Sequence, residues 1–473
     1  MARKFLTGML LLAVCSVSVA QTLTRINHQP PDGAILTFQM TDGTVVAQGF
    51  RDSDWYKLTP DNTGSYVNGT WTQLPNLPAG YVPDAFASAV LADGRLVIVG
   101  GEYNNGAFTL TNLGAIYNPG SNTWASLAPP KTWSYIGDSP AVVLPSGKFL
   151  VGNKLTKQLA VLNPKTLTWQ IVPSAGKADF DAEEGWTLLP NGTVLTADVK
   201  DAPNSEIYTS SAGAWASAGS TIVDLHSPST FGCLHYGPGG KLCYYPPGEI
   251  GPAILRPDGT VFVTGSYTST GSGAGHTAVY SPTTGWSVGP DFPNGDNAGD
   301  SFAALLPSGN VLVEGAFASY EFNGTTLTTV PSTPGSLMLL PTGQVLVGGS
   351  EVYTSSGTYS PAWAPAIHAV PSTVVRGSTY KITGTQFNGL SQAAAFGDEY
   401  QTATNYPLVR ITNKSTGHVF YAKTHGHSTM GVATGSTVVS TSFDVPAGME
   451  TGASSLVVVA NGIPSPAVSI TVN

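Results

Sequence analysis

The chain has 473 residues, of which 10% are charged and 41% hydrophobic, and it contains 55 glycines and 35 prolines. This composition is typical of many short strands joined by tight turns, and it excludes both a mainly helical protein and a disordered one. The net charge of −9 argues against binding to nucleic acid or to an anionic membrane surface, because both partners reward clustered lysine and arginine.

The N-terminus has the three parts of a secretory signal. Two basic residues precede an apolar stretch, Phe5 to Val14, which is too short to span a bilayer permanently. Small residues at Ser18 and Ala20 then predict a cleaved signal peptide of residues 1–20 and a secreted or periplasmic protein. Cys15 leaves lipid anchoring open as an alternative, although Val14 before it fits that processing poorly. No other segment reaches transmembrane length.

One phrase recurs seven times: an apolar strand, a tight turn that ends in glycine, and a second apolar strand. Asp-Gly, Asn-Gly and Ser-Gly turns between apolar strands are strong hairpin signals, because glycine adopts a positive φ at little cost. The first and last of these glycines are 300 residues apart, which gives a mean period of 50. The seven turn glycines are Gly43, Gly94, Gly147, Gly192, Gly259, Gly309 and Gly343.

A second hairpin follows most copies, with an aromatic residue, a polar turn and a tryptophan, as in Tyr117 to Trp124. Two hairpins per repeat make one four-stranded blade, and a period near 50 is that of kelch repeats. We therefore predict an all-β protein in which residues 21–365 form a seven-bladed kelch-type β-propeller. A stacked β-solenoid is the alternative, but its rungs are shorter. Residues 366–473 lack the phrase, and their short strands predict an immunoglobulin-like β-sandwich.

Carboxylates recur just before the first strand of six of the seven repeats, eight to eleven residues ahead of the turn glycine. First strands converge on a propeller axis, so these acids could form a ring at one channel mouth. A ring would require a hard cation such as Ca²⁺, a cationic or polar ligand, or raised pKa values that permit acid–base catalysis. A purely structural role in capping turns is the alternative. The acids are Asp32, Asp84, Asp138, Glu183, Glu184, Glu249 and Asp300.

Aromatic residues near the blade entries could stack on sugars, and Tyr135 and Trp186 are the main candidates. Tyr81, Trp133, Tyr244 and Tyr245 lie at similar positions. The tryptophans of the second hairpins, such as Trp215, are expected in the blade core.

His425 and His427 are two residues apart, so both side chains point the same way in an extended segment. Such a pair could ligate a metal together with carboxylates, and a hydrogen-bonding pair between domains is the alternative. Cys233 and Cys243 lie in a long insertion between the fourth and fifth turn glycines. In an exported protein they predict one disulfide, and a two-cysteine metal site is the weaker interpretation.

Seven kelch-type blades followed by an immunoglobulin-like domain resemble the galactose oxidase and glyoxal oxidase superfamily. The Asn461-Gly462-Ile463-Pro464-Ser465 run before the last strand is similar to the end of that superfamily's final domain. The stretch from Ala403 to Pro407, continued by Thr424 to Ser428, resembles a bacterial subgroup of these proteins.

The resemblance implies a copper radical site with two tyrosines, two histidines and a cysteine cross-linked to one tyrosine. The cysteine position falls here at Phe86-Ala87, the cross-linked tyrosine at Gly137-Asp138, and the adjacent Tyr-His pair at Thr333-Pro334. Only the remaining histidine, from a C-terminal loop that reaches into the channel, has a candidate, His427. The sequence therefore argues against copper.

Our leading hypothesis is a secreted protein that binds a polar small molecule, a glycan above all, or a cation at the propeller mouth. An extracellular enzyme of non-radical type with acidic residues is the alternative, and a copper radical oxidase ranks below it. The sequence does not indicate the ligand or the oligomeric state.

Overall fold

The computed structural model describes residues 21–228, 232–236, 240–244, 248–268 and 273–473, with backbone alone at 232–236 and 242–244. Apart from two short 3₁₀ helices, Pro293–Gly295 and Pro361–Trp363, its regular elements are strands. Within these ranges no helix has the length and apolar character needed to cross a membrane. The predicted signal peptide of residues 1–20 and Tyr245 lie outside the described residues, as do the side chains of Cys233, Cys243 and Tyr244.

The described chain up to residue 354 folds into antiparallel sheets of short strands. The first twelve strands are β1 (Thr22–Arg25), β2 (Leu36–Gln39), β3 (Val45–Gln48), β4 (Trp55–Thr59), β5 (Thr70–Gln73), β6 (Pro83–Asp84), β7 (Ala87–Val90), β8 (Leu96–Val99), β9 (Tyr103–Asn104), β10 (Ala107–Phe108), β11 (Gly114–Asn118) and β12 (Thr123–Ser126). The next twelve are β13 (Ala141–Val143), β14 (Phe149–Gly152), β15 (Leu159–Asn163), β16 (Thr168–Val172), β17 (Thr187–Leu188), β18 (Val194–Ala197), β19 (Asn204–Thr209), β20 (Ala214–Ser220), β21 (Gly232–Tyr236), β22 (Gly240–Tyr244), β23 (Ala253–Leu255) and β24 (Val261–Thr264). They are followed by β25 (Thr277–Ser281), β26 (Gly285–Val288), β27 (Ala303–Leu305), β28 (Val311–Glu314), β29 (Ser319–Phe322), β30 (Leu327–Val330), β31 (Leu337–Leu339), β32 (Val345–Val347) and β33 (Glu351–Thr354).

Seven sheets take four of these strands each, from consecutive stretches of chain. They are β2–β5, then β7 and β8 with β11 and β12, then β13–β16, β17–β20, β23–β26 and β27–β30, and finally β31–β33 with β1. The N-terminal strand β1 thus completes the last sheet, pairing with β33. Strands β6, β9 and β10 form a small sheet, and β21 pairs with β22.

The seven predicted turn glycines join the first two strands of the seven sheets. Each has a φ between 79° and 86°, a conformation that glycine adopts without the penalty of a Cβ atom. The first strands are buried, and those of neighbouring sheets lie side by side, including β2 of the first sheet and β31 of the seventh. The described chain is therefore all-β and propeller-like.

Residues 366–473 form a separate curled sheet with its own core. Its strands are β34 (Ala366–Ala369), β35 (Thr373–Val374), β36 (Thr379–Thr385), β38 (Leu408–Asn413), β39 (Val419–His425), β40 (Val439–Asp444), β41 (Gly452–Ala460), β42 (Ile463–Pro464) and β43 (Val468–Val472). Buried and half-exposed residues alternate along β40, which is the period-two pattern of a strand with one face in a core. That core includes Ile382, Phe387, Ile411 and Phe443.

One segment of this C-terminal region leaves it and enters the propeller-like part. Strand β37 (Ala394–Ala395) adds to the sixth sheet by pairing with β27. The rest of the C-terminal region contacts the glycine-turn end of the sheets, where Gly426 N–H donates to Ala92 O (3.0 Å). The inserted segment therefore runs along the first strands toward their other end.

Candidate functional site

The candidate site lies at the end of the sheets where the first strands begin and the second strands finish. We call it the acidic mouth. Three groups meet here. They are the carboxylates that precede the first strands, the residues that follow the second strands, and the tip of the inserted segment that contains β37. Its members are Asp84, Glu102, Asp138, Lys154, Glu183, Glu249, Asp300, Asp398, Glu399 and Tyr400.

Lys154 lies at the centre of the mouth and is 1% exposed. Its ammonium contacts Asp138 Oδ2, and its Nζ lies 2.6 Å from Glu183 Oε1 and 3.8 Å from Glu102 Oε1. Burial alone would lower the pKa of Lys154, but Asp138, Glu183 and Glu102 raise it well above its usual value. The Lys154 ammonium therefore neutralises part of the negative charge of the mouth.

The tip of the inserted segment adds two buried carboxyl groups. Asp398 is 3% exposed, and its Oδ1 has no hydrogen-bond partner among the described residues. Burial, Glu399 and Glu183 raise the pKa of Asp398 well above its usual value. Burial also raises the pKa of Glu399 to about 7. One oxygen each of Asp138, Glu183 and Asp398 lies within 4.8 Å of the others.

Glu249 and Asp300 form the outer part of the mouth. Burial and the neighbouring Glu183 and Asp300 raise the pKa of Glu249 to about 10. The Asp300 side chain reaches solvent. The surrounding protein still removes part of its contact with water, and the Glu183 carboxylate repels its charge, so the pKa of Asp300 is raised to about 6. With these pKa values, Glu249 is the acid and Asp300 is the base of the pair at neutral pH.

Tyr400 links the inserted segment to the second sheet. Its hydroxyl donates to Asp84 Oδ1 (2.6 Å) and accepts the backbone N–H of Ala85 (2.8 Å). Ala85 has a φ of 49°, and Glu183 and Asp300 have φ values of 54° and 48°. Residues with side chains rarely adopt this left-handed conformation, and such strain tends to occur at functional sites.

A glycine explains how closely the segment approaches the propeller-like part. A Cβ atom on Gly397 would lie 2.4 Å from Ile250 O, so only glycine fits between the fourth and fifth sheets. Residue 397 directly precedes the two carboxyl groups of the tip, so this close contact fixes their position.

Two of the seven predicted acids point elsewhere. Asp32 accepts a hydrogen bond from Arg51 N–H (2.8 Å), and it does not reach the group around Lys154. Glu184 turns away from its neighbour Glu183 and contacts a different buried lysine, Lys177, at 2.7 Å. We call this second group the Lys177 cluster; it contains Lys177, Asp179, Asp181, Glu184, Asp198 and Glu206.

The predicted sugar-stacking aromatics require a correction. Trp186 is 2% exposed and packs against Trp215, so its ring is core and does not face a ligand. Tyr81 and Trp133 are buried too, whereas Tyr135 is half-buried beside Leu155 near the mouth. The predicted core position of Trp215 agrees with the structure.

Three other aromatic side chains are exposed at the mouth end. Phe50, Phe108 and Phe317 are 69%, 37% and 81% exposed. In the chain, each follows the second strand and precedes the third strand of a four-stranded sheet, at the same end as the carboxylates. Phe108, which belongs to β10 of the small sheet, also contacts Tyr103 (5.2 Å between ring centroids). The insertion that carries the cysteines is anchored at this end as well, because Ser227 N–H donates to Glu249 O (2.8 Å).

The histidine pair does not belong to the mouth. His425 Nε2 lies 3.0 Å from Asp444 Oδ1, and His427 Nδ1 lies 2.8 Å from Thr441 Oγ1, both at the glycine-turn end. The expectation that His427 reaches into the channel is therefore wrong, since residues 393–402 enter it instead. Burial lowers the pKa of His427 to about 3, so the ring is neutral, and its Nε2 is covered without a partner among the described residues.

The cysteine prediction is tested only at the backbone. Cys233 lies directly opposite Cys243 in the antiparallel pair β21–β22. The disulfide itself stays a prediction.

The donor set of the mouth does not fit a copper radical site. Among the described residues, the groups that meet there are carboxyls, one ammonium and the Tyr400 hydroxyl, and the last is bound to Asp84. The copper set also requires two histidines and a cysteine cross-linked to a tyrosine, and none of these is among the groups just named.

Five of the mouth residues were missed by the sequence patterns: Glu102, Lys154, Asp398, Glu399 and Tyr400. Glu102 and Lys154 follow the second strands of their sheets, which end at Val99 and Gly152. A comparison of equivalent positions in the repeats, as was used for the acids, could therefore have identified them. The tip of the inserted segment gave no repeat signal, because it occurs once.

Comparisons with known proteins place these features in context. No protein-family model matches the sequence. A fungal alcohol oxidase of the AA5 family in complex with copper superposes with a TM-score of 0.48 and 13% identity, covering 97% of this chain and 100% of that chain. Virginiamycin B lyase from Staphylococcus aureus gives a TM-score of 0.44 and 9% identity, covering 70% of this chain and 97% of the lyase.

A galactose oxidase from Gibberella zeae is 23% identical over 233 residues, which make up 47% of this chain and 32% of the galactose oxidase. The chain thus matches about a third of the length of that relative. The match supports a galactose oxidase-like relationship at the level of the superfamily.

Proposed function

We propose that this is a secreted protein that binds a carbohydrate at the acidic mouth. In this proposal the seven sheets are the blades of a seven-bladed propeller, and residues 366–473 are an immunoglobulin-like domain. The observation that carries the proposal is the combination, at one end of the sheets, of half-exposed carboxylates with three exposed phenylalanines.

The inner and outer carboxyl groups have different roles. Asp138 and Glu183 contact the Lys154 ammonium, so they fix the shape and charge of the buried part of the mouth, which we call its floor. Asp84, Glu102 and Asp300 are open to solvent in part, and a carboxylate accepts hydrogen bonds from sugar hydroxyls. A hard cation at the floor would first have to displace the Lys154 ammonium.

The exposed rings supply the apolar part of such a site. Ligand sites combine apolar and aromatic surface with a few placed polar groups. Phe108 and Tyr103 form a small aromatic patch directly beside Glu102, where the C–H face of a sugar ring could pack. The similarity to a protein named galactose oxidase supports a sugar as the ligand class.

A glycan array followed by isothermal titration calorimetry of the mature protein tests the proposal. We expect binding that falls at least about tenfold in Glu102→Gln and in Phe108→Ala, because each removes about 1.4 kcal/mol or more of contact energy. Asp258→Asn is the matched control, since Asp258 is an exposed carboxylate at the glycine-turn end. Unchanged binding in both mouth variants would refute the site.

Acid–base catalysis on a bound sugar is the second candidate function. It is favoured by the neighbouring groups Glu249 and Asp300, whose pKa values lie at about 10 and about 6, and by Glu399 at about 7. A protonated Glu249 could act as general acid and an ionised Asp300 as general base.

Hydrolysis of the glycans found on the array tests this candidate. We expect turnover to fall at least about 100-fold in Glu249→Gln, while glycan binding persists. Binding without any turnover in the wild-type protein would exclude catalysis and leave the binding function intact.

A further inference from the structure

The rim of the acidic mouth is uneven, because the connections between the second and third strands differ in length. In the seventh sheet this connection is the short stretch 348–350. The connections of the other six sheets are longer, from residues 315–318 in the sixth sheet to residues 100–113 in the second. The seventh sheet also has no carboxylate in residues 331–336, which precede its first strand. The rim therefore has a gap over the seventh sheet.

Three glycines form the floor of this gap, and we call Gly335, Gly348 and Gly349 the glycine gap. Gly335 and Gly348 are half-exposed, and a Cβ atom on Gly335 would lie 3.3 Å from Gly348 Cα. A Cβ atom on Gly349 would overlap Ala34 Cβ, which belongs to the segment between β1 and β2. The floor is therefore backbone without side chains, packed directly against the first sheet.

An exposed phenylalanine lies on each side of the glycine gap. On the side of the first sheet, the Phe50 ring covers Gly33, where a Cβ atom would overlap it. On the side of the sixth sheet, Gly335 N–H donates to Glu314 Oε1 (2.7 Å), and Phe317 lies three residues beyond Glu314. Phe317 and Phe50 have the largest exposed fractions among the large hydrophobic side chains that the structure describes.

Direct contacts join the glycine gap to the acidic mouth. Glu314, which holds Gly335, donates its backbone N–H to Phe302 O (2.9 Å). The Phe302 ring is stacked with the ring of Tyr400, a member of the mouth, at 6.3 Å between centroids. Asp300, whose side chain reaches solvent in the mouth, is two residues before Phe302. A molecule bound at Asp300 therefore lies next to the gap.

The distribution of the phenylalanines suits a chain of sugars better than a single sugar. Aromatic side chains supply the apolar surface of ligand sites, and a few polar groups beside them fix the ligand. Phe317, Phe50 and Phe108 follow the second strands of the sixth, first and second sheets. Packed sheets lie about 10 Å apart, and the first and seventh sheets separate Phe108 from Phe317, so one sugar ring cannot contact both.

We propose that the ligand of the acidic mouth is an oligosaccharide or polysaccharide chain that continues from the mouth over the glycine gap, between Phe50 and Phe317. This inference rests on the proposed carbohydrate function and adds the class of carbohydrate, a chain of several units instead of a free mono- or disaccharide. The gap leaves room for the chain to extend past the rim, and the two rings hold it there.

Calorimetric titration of the mature protein with β-1,4-linked galacto-, gluco-, xylo- and manno-oligosaccharides, from disaccharides to hexasaccharides, tests the proposal. In the series that binds, we expect the affinity to rise at least about tenfold from the disaccharide to the hexasaccharide, because the added units contact the rings beside the gap. Phe317→Ala and Phe50→Ala should each lower the affinity for the hexasaccharide at least about fivefold and leave that for the disaccharide unchanged. Both rings are exposed, so both variants should fold, and circular dichroism checks this.

Ile222→Ala is the matched control. Ile222 is an exposed apolar residue that follows β20 of the fourth sheet, at the same end of the sheets but not beside the seventh. The rise in affinity with chain length should be the same in this variant as in the wild type.

The outcomes separate this inference from the proposed function. Equal affinity for short and long oligosaccharides, or a rise with length that both phenylalanine variants retain, would overturn the inference and leave the carbohydrate site in place. A wild-type dimer that Phe317→Ala converts to a monomer would assign the rings to a contact between two copies of the chain, which also overturns it. Absence of binding at every length and to every glycan of the array would refute the carbohydrate function itself.

Discussion

Replacing Lys154 with methionine removes the internal cation of the acidic mouth while nearly preserving side-chain length. The ammonium is buried and contacts Asp138 and Glu183, the latter at 2.6 Å. Removing one partner of a buried ion pair costs about 3–5 kcal/mol, because the other charge stays buried without compensation. We therefore expect Lys154→Met to lower the free energy of unfolding by about 3–5 kcal/mol at neutral pH.

The loss should depend on pH in a defined direction. Burial alone would raise the pKa of Glu183, but the Lys154 ammonium lowers it below its usual value of about 4.5. In the wild type, ionised Glu183 therefore stabilises the fold at pH values above about 4.5, and this stabilisation is lost as the pH falls through the lowered pKa. In the variant that contribution is absent, and the buried carboxyl favours protonation. The difference between the two proteins should therefore shrink from about pH 7 to about pH 4.

Urea unfolding followed by circular dichroism at these two pH values measures both effects. Lys165→Met, an exposed lysine in a turn of the same sheet, is the control and should change stability by no more than about 0.5 kcal/mol. A loss below about 1 kcal/mol at neutral pH, or an equal loss at both pH values, would show that Lys154 is not the counter-ion of the mouth.

Three further predictions concern the inserted segment and the outer carboxyls. Tyr400→Phe removes the hydroxyl that donates to Asp84 (2.6 Å) and should cost about 1–3 kcal/mol in urea unfolding; an unchanged midpoint would contradict this. Burial and neighbouring carboxylates raise the pKa of Glu249 from 4.5 to about 10, so the folded state retains a proton that the unfolded chain loses. Stability should therefore decline as pH rises through that range, and thermal unfolding of Glu249→Gln should show a smaller decline than the wild type. Gly397→Ala places a Cβ atom 2.4 Å from Ile250 O and should cost about 1–3 kcal/mol in urea unfolding; wild-type stability would mean that the segment is not held there.

The strands could be predicted from the sequence because their signals are local. A Ser-Gly or Asp-Gly turn between two apolar runs needs only neighbouring residues to form a hairpin. Gly94 and Gly309 accordingly adopt φ values of 82° and 86°. The pairing of β1 with β33 has no local signal, because it joins residues at opposite ends of the propeller-like part.

The acids were predicted as a ring, and most but not all of them meet. An offset along the sequence does not fix the direction of a side chain, and a shift of one residue in an extended segment reverses it. Glu183 and Glu184 show this directly, since the first contacts Lys154 and the second contacts Lys177. Sequence reasoning treated both as members of one site.

The centre of the mouth could not be predicted from a repeat. Tyr400 is 316 residues from its partner Asp84, and Asp398 reaches Glu183 only because the C-terminal region sends a segment back along the first strands. The sequence predicts His427 at that place only through the resemblance to the galactose oxidase superfamily. In the structure, the segment around Gly397 occupies that place instead.

A crystal structure of the protein with the glycan that binds best on the array would test the central claim most directly. We predict that the sugar lies between Glu102 and Asp300, with one ring face against Phe108. A sugar bound at the glycine-turn end, or elsewhere with the mouth free, would contradict the assignment of the acidic mouth as the ligand site.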